Sequence, residues 1–127
     1  MNFIIDTHIL ISLINKDGKI DKQATEKIEN LENQISISIV SLWEITIKVN
    51  IGKLKVTRNL QEMYDLIEKS DISVLNIQKK HLEKYLQLTL IHRDPFDRMI
   101  ISQAITDDLT IITDDQYIKS YPNLKLF

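Results

Sequence analysis

The chain has 127 residues, 43% hydrophobic and 27% charged, with a formal net charge of −2, which fits one folded domain and excludes a disordered segment. With no cysteine it has neither a disulfide framework nor thiolate metal sites, and its near-neutral charge means that any nucleic-acid contact must come from a local basic surface. No apolar run approaches the roughly 18 residues of a membrane span, and the stretch Met1-Asn2-Phe3-Ile4-Ile5-Asp6 has no basic leader, so no membrane contact and a cytoplasmic location are expected.

Short apolar runs alternate with amphipathic stretches from one end to the other. A strand is predicted over residues 2–5, then a helix over 7–15 with Ile9, Leu10, Leu13 and Ile14 on one face. A helix over 21–32 carries Ala24, Ile28 and Leu31 inward, and a strand over 35–39 follows. The next helix, 42–51, stops at Gly52, a natural residue beyond a helix C-terminus. After the basic loop 53–58 come a helix over 60–69, a strand over 72–75 and a helix over 78–88. A helix over 95–106, a strand over 110–112, a short helix over 115–119 and a strand over 124–126 complete the chain. Alternation of this kind, with Ile- and Val-rich strands, predicts an α/β fold with a mainly parallel sheet and helices on both faces.

Four carboxylates recur at equivalent places. Asp6, Glu44, Asp97 and Asp115 each open an amphipathic stretch close after an apolar run. In a parallel sheet the carboxyl ends of the strands share one rim, where sites of open α/β folds form. Each acid also fits a helix cap. Ser41-Leu42-Trp43-Glu44 reads as a capping box with Ser41 at the N-cap, Asp94-Pro95-Phe96-Asp97 has an Asp cap with Pro behind it, and Asp6 and the Thr113-Asp114-Asp115-Gln116 run fit as well. Capping explains any one of them alone; the coincidence of all four favours a shared site. Such a cluster repels itself and needs a cation, and oxygen donors without cysteine or a histidine pair favour Mg²⁺ or Mn²⁺ over Zn²⁺.

Asp6-Thr7-His8, Ser41-Leu42-Trp43-Glu44-Ile45, His92-Arg93-Asp94-Pro95-Phe96-Asp97-Arg98 and Ile112-Thr113-Asp114-Asp115 occur in that order. Together they resemble the PIN-domain ribonucleases, in particular the VapC-like toxins of bacterial toxin–antitoxin pairs, over essentially the whole chain. The resemblance implies a single PIN domain over residues 1–127 with a five-stranded parallel sheet in the order 3-2-1-4-5. It implies a metal site of Asp6, Glu44, Asp97 and Asp115, an endoribonuclease activity, a homodimer and a small antitoxin partner. Asp114 stands where the family commonly carries Arg, Ser12 where relatives often carry Trp, and Asp108 where Gly often follows the long helix.

A site of this kind would hydrolyse RNA through an ion-activated water, with a second ion supporting the departing 3′ oxygen; the sequence leaves one ion or two open. Asp6 and Asp97 are the first choices as direct ligands, with Glu44 and Asp115 acting through water or a second ion, and Thr7 and Thr113 orienting water. Asp94 reads as a helix cap. His92 reads as a capping or packing residue, with a phosphate contact as the alternative. Arg93 and Arg98 flank the site, one for a phosphate and the other to pair with Asp94. Trp43 is expected in the core, with base stacking as the alternative. Lys48, Lys53, Lys55 and Arg58 form a candidate phosphate track for an RNA such as tRNA, or else a solvated loop. A response-regulator receiver would need paired acids after the first strand, and a haloacid-dehalogenase-type phosphatase an Asp-x-Asp; the chain has Asp6-Thr7-His8 instead. The remaining alternatives keep the fold: a free-standing housekeeping ribonuclease, or a non-catalytic RNA- or protein-binding module.

Overall fold

A computed structural model describes all of residues 1–127. In chain order the elements are β1 (Asn2–Ile5), α1 (Thr7–Asn15), α2 (Lys22–Glu29), β2 (Gln34–Ser38), α3 (Ile39–Asn50), α4 (Leu60–Lys69), β3 (Ile72–Leu75), α5 (Lys79–Gln87), α6 (Pro95–Thr106), β4 (Thr110–Ile112), α7 (Gln116–Lys119) and β5 (Lys125–Leu126). The strands form one sheet in the order β3-β2-β1-β4-β5, and every pair is parallel.

Strand alternation divides the core in two. Phe3, Ile5, Ile35, Ile37 and Ile112 face a cluster completed by Ile9, Leu10 and Ile14 of α1, Ala24 of α2, Leu42 and Ile45 of α3, and Met63 and Ile67 of α4. Ile4 and Ile111 point the other way, onto Met99, Ile100, Ile101 and Ala104 of α6, with Ile118 and Tyr121. Successive side chains of a strand face opposite sides, so a helical layer covers each face. No helix is long and apolar enough to cross a membrane.

Register then positions the site. Ile5 lies opposite both Ile37 and Ile112, so the residues just past these three strands share the carboxyl rim. Asp6 and Thr113 follow β1 and β4 directly, while β2 runs into α3 without a loop.

That last junction corrects the sequence reading. Helix α3 begins at Ile39, and its N-cap is Ser38, whose Oγ accepts from the Val40 amide at 3.1 Å. Ser41 is therefore inside the helix, and Glu44 lies beyond the first turn instead of closing a capping box. The run Ile35 to Val40 reads Ile-Ser-Ile-Ser-Ile-Val, and both Ser38 and Ser41 suit an N-cap, so the pattern alone does not choose between the two starts. Helix α2 ends at Glu29, three residues short of the expected end, and β2 begins one residue early at Gln34. Two turn readings agree with the structure: Gly52 after α3 and Asp108 after α6 both adopt positive φ, 75° and 57°.

Candidate metal centre

Asp6 is the N-cap of α1 and is 1% exposed. Its Oδ1 accepts from the Ile9 amide at 2.8 Å, and its Oδ2 accepts from the Thr113 hydroxyl. That hydroxyl also accepts from the Asp115 amide at 3.0 Å, so one threonine fixes the spacing between the ends of β1 and β4. Asp115 caps α7 through its Oδ1, which accepts from Tyr117 and Ile118 at 2.8 and 3.1 Å. Asp6, His8, Asp114 and Asp115 line an open cleft of about 270 Å³. Burial pushes the Asp6 carboxyl above its ordinary range; hydrogen bonds from Thr113 and Ile9 and the His8 charge oppose this, and the Asp115 charge adds to it.

Next to Asp6, the buried Thr7 hydroxyl donates to Ser41 Oγ at 2.9 Å and ties α1 to α3. One turn along α3 is Glu44, 3% exposed. Its Oε2 accepts from Lys48 Nζ at 2.6 Å, while its Oε1 is buried with no partner. An orphaned carboxylate oxygen in a protein interior is costly, which marks a place where a donor or a cation belongs.

Asp97 occupies the first turn of α6, its amide bound to Asp94 Oδ1 at 3.0 Å across Pro95. The carboxyl is pushed up to about 6 by burial and by the charges of Asp94 and Glu44, against the hydrogen bond and charge of His92. His92 Nε2 lies 2.8 Å from Asp97 Oδ2, and ligand atoms of His92, Asp94 and Asp97 fall within 4.8 Å of one another. Sequence reading missed the ring partner of His92. It also missed Tyr117, which stacks on the His92 ring with centroids 4.9 Å apart and an interplanar angle of 8°. A five-residue separation across a helix start follows no helical or strand period, so no pattern announces the His92–Asp97 bond.

Other expectations are corrected. Arg98 neither reaches for a phosphate nor pairs with Asp94: it is 5% exposed. Its guanidinium donates to the carbonyls of Thr89, His92 and Tyr85 and to the Tyr121 hydroxyl, and it lies 4.8 Å from the Tyr85 ring centre. The carbonyls of Tyr85 and Thr89 already accept from the Leu88 and Ile91 amides, and one buried cation with five donors fills the remaining acceptor capacity of this turn before α6. Trp43 is not in the core; it is 58% exposed and meets Phe96 edge to face at 5.1 Å. Being on α3 one position before Glu44, it points away from the face that carries Leu42 and Ile45. Among the basic residues, Lys48 is held by Glu44, and Arg58 lines a cleft with Val56 and Met63 between α3 and α4. Lys53, Lys55 and Arg93 are exposed.

The donor set fits a hard divalent cation. Asp6, Glu44 and Asp97 are buried at the rim, with Asp115 beside Asp6, and Glu44 offers a free oxygen. Carboxylate oxygens with at most one imidazole suit Mg²⁺ or Mn²⁺.

The model of the PIN domain family matches residues 3–124. Among solved structures, the chain is similar to VapBC2 from Rickettsia felis bound to a DNA fragment from its promoter, with 25% identity over 100% of this chain and 98% of that one and a TM-score of 0.77. VapBC-1 from nontypeable Haemophilus influenzae shares the fold at 19% identity, 100% and 97% coverage and a TM-score of 0.67. FitAcB from Neisseria gonorrhoeae does so at 17% identity, 100% and 96% coverage and a TM-score of 0.66. No curated protein matches the sequence. A 3-2-1-4-5 parallel sheet with acids at its carboxyl rim, and a family match spanning nearly every residue, place the chain in the PIN-domain family.

Proposed function

We propose that this protein is a divalent-metal-dependent endoribonuclease and the toxin of a toxin–antitoxin pair. The observation that carries the reading is the set of buried acids: Glu44 Oε1 has no partner, and the Asp97 carboxyl is raised to about 6 by burial, with the charges of Asp94 and Glu44 adding to it. Buried like charges of this kind are tolerable when a cation joins them. Mg²⁺ or Mn²⁺ held there would supply an activated water and neutralise charge on a phosphodiester.

The chain's own residues do the positioning. Asp6 and Asp97 are the direct ligands, and Glu44 and Asp115 complete the site from α3 and the start of α7. Thr113 and the Ile9 amide each fix one oxygen of Asp6, His92 fixes one oxygen of Asp97, and Lys48 fixes one oxygen of Glu44, whose other oxygen has no partner. Such outer contacts orient metal ligands and tune them. Asp94 serves by starting α6 and Arg98 by bracing the turn before it. Lys53, Lys55 and Arg93 are exposed cations available to an RNA backbone, with tRNA a candidate substrate.

Support for a toxin comes from the likeness to VapBC structures, described as toxin–antitoxin systems, and from a toxin–antitoxin complex of Klebsiella pneumoniae that shares the fold. On this reading the partner is a small antitoxin, the working unit is a homodimer and the location is the cytoplasm. The test is cleavage of total RNA and of a tRNA pool by the purified protein in Mg²⁺ or Mn²⁺ and in EDTA, beside light scattering. Metal-dependent cleavage and a particle of twice the 14.9 kDa chain mass are expected. Cleavage undiminished in EDTA would refute the metal mechanism, and a strict monomer at high concentration would refute the dimer.

A further inference from the structure

The stacked rings of Tyr117 and His92 join two parts of the acid site. His92 is bonded through Nε2 to Asp97, while Tyr117 donates its backbone amide to Asp115 Oδ1. Nearly parallel rings with centroids 4.9 Å apart thus bridge the turn before α6 and the start of α7. The lower ring is fixed: its backbone amide donates to the Tyr121 hydroxyl at 2.9 Å, and its carbonyl accepts from the buried Arg98 guanidinium. The upper ring is anchored by its neighbour Ile118, which is 0% exposed, and yet Tyr117 itself is 60% exposed. A large aromatic left in solvent beside a charged site, with one face already stacked, offers its other face at little ordering cost.

We propose that the Tyr117–His92 stack is a nucleobase platform, which seats one unpaired base of the RNA on Tyr117 and thereby delivers the adjoining phosphodiester to the acids Asp97 and Asp115. The inference rests on the ribonuclease reading and deepens it by naming the substrate class: RNA with an unstacked, single-stranded base at the cleavage position. Stacking on an aromatic face is how proteins hold unpaired bases, and it is tolerant of base identity. Arg93 follows His92 directly, is exposed and has no ion-pair partner, so it is free to meet a phosphate flanking that base. The platform also links substrate to metal, because the ring under Tyr117 is the one that holds an oxygen of Asp97.

The experiment compares wild type, Tyr117→Ala and Tyr117→Phe by fluorescence anisotropy. The probes are a short labelled single-stranded RNA and an abasic ribose-phosphate chain of the same length, both in Ca²⁺ to hold cleavage. Tyr117→Ala is expected to weaken binding of the base-bearing RNA about tenfold and to leave the abasic chain unaffected. Tyr117→Phe keeps the ring and is expected to bind as wild type does. Calorimetric titration with Mn²⁺ checks that the acid site is intact, and unchanged metal affinity in Tyr117→Ala is expected. Equal losses on both probes, no loss on either, or a parallel loss of Mn²⁺ affinity would overturn the platform. A wild-type protein that binds Mn²⁺ but neither binds nor cleaves any RNA would overturn the nuclease reading and the platform with it; intact cleavage with an indifferent Tyr117→Ala overturns the platform alone.

Discussion

The Thr7 hydroxyl donates to Ser41 Oγ at 2.9 Å inside the protein, 34 residues away in sequence. This bond joins the residue after Asp6 to the residue one turn before Glu44. It therefore adds a side-chain tie between two of the acids, beyond the β1–β2 pairing that brings their elements together. Substituting Ser41→Ala leaves the buried Thr7 hydroxyl without its acceptor, at a cost of about 1–3 kcal/mol. Thermal or urea unfolding should show it, and the double variant Thr7→Val/Ser41→Ala should lose less than the sum of the single changes. A Ser41→Ala protein that unfolds as wild type does would mean that the bond contributes nothing.

Asp97 makes the metal-free protein pH-sensitive. Its carboxyl is raised from 3.8 to about 6 in the folded state, so between those values the folded chain binds more protons than the unfolded one. Stability contributed by this group therefore falls as pH rises through that window, and the loss is complete above about 6. Asp6 is shifted in the same direction, whereas Asp107, lowered by Lys80 and His81, acts in the opposite sense. The difference between wild type and Asp97→Asn in EDTA isolates the effect: the variant should be relatively more stable at pH 7 than at pH 4.5. Divalent-ion affinity should run the other way and weaken as pH falls below about 6, because a proton takes the ligand oxygen. A pH-independent difference between the two proteins would refute the assignment.

Tyr121 is the second support of the turn before α6. Its hydroxyl accepts from the His92 amide at 2.9 Å and from Arg98 at 3.2 Å. Tyr121→Phe removes both acceptor contacts without changing the ring's shape, and should cost about 1–3 kcal/mol. Since His92 would then be less firmly held beside Asp97, cleavage should fall while the fold persists. Circular dichroism with a cleavage assay on the same sample checks both parts; unchanged stability and rate would show that Arg98 holds the turn unaided.

Much of this was legible in the sequence, and the boundary is physical. The two helical layers follow from alternating apolar runs, the strand order from the resemblance that the ordered motifs carry, and the caps at Asp6 and Asp94 from local chemistry. The start of α3 was misread, because Ser38 and Ser41 both suit an N-cap and the Ile39 and Val40 between them are apolar in either conformation. Arg98 reads as a surface cation until the turn folds and carbonyls from Tyr85, Thr89 and His92 converge on it. Trp43 reads as core because tryptophan is usually well buried, yet its helix face leaves it beside Phe96 in solvent. The His92–Tyr117 stack depends on the turn before α6 meeting α7, a tertiary contact that neither segment encodes alone.

The most direct measurement is the initial rate of RNA cleavage in Mg²⁺ for wild type and Asp97→Asn, with the melting temperature of each taken in parallel. As a cap alone, Asp97 would be worth only a fraction of about 1 kcal/mol at the N-terminus of α6, and its loss would leave the rate intact. As a metal ligand, it cannot be replaced by an amide of the same shape that lacks the charge. The account predicts near-complete loss of cleavage with a melting temperature equal to or above that of the metal-free wild type. Full activity in Asp97→Asn would contradict it and return Asp97 to the role of a helix cap.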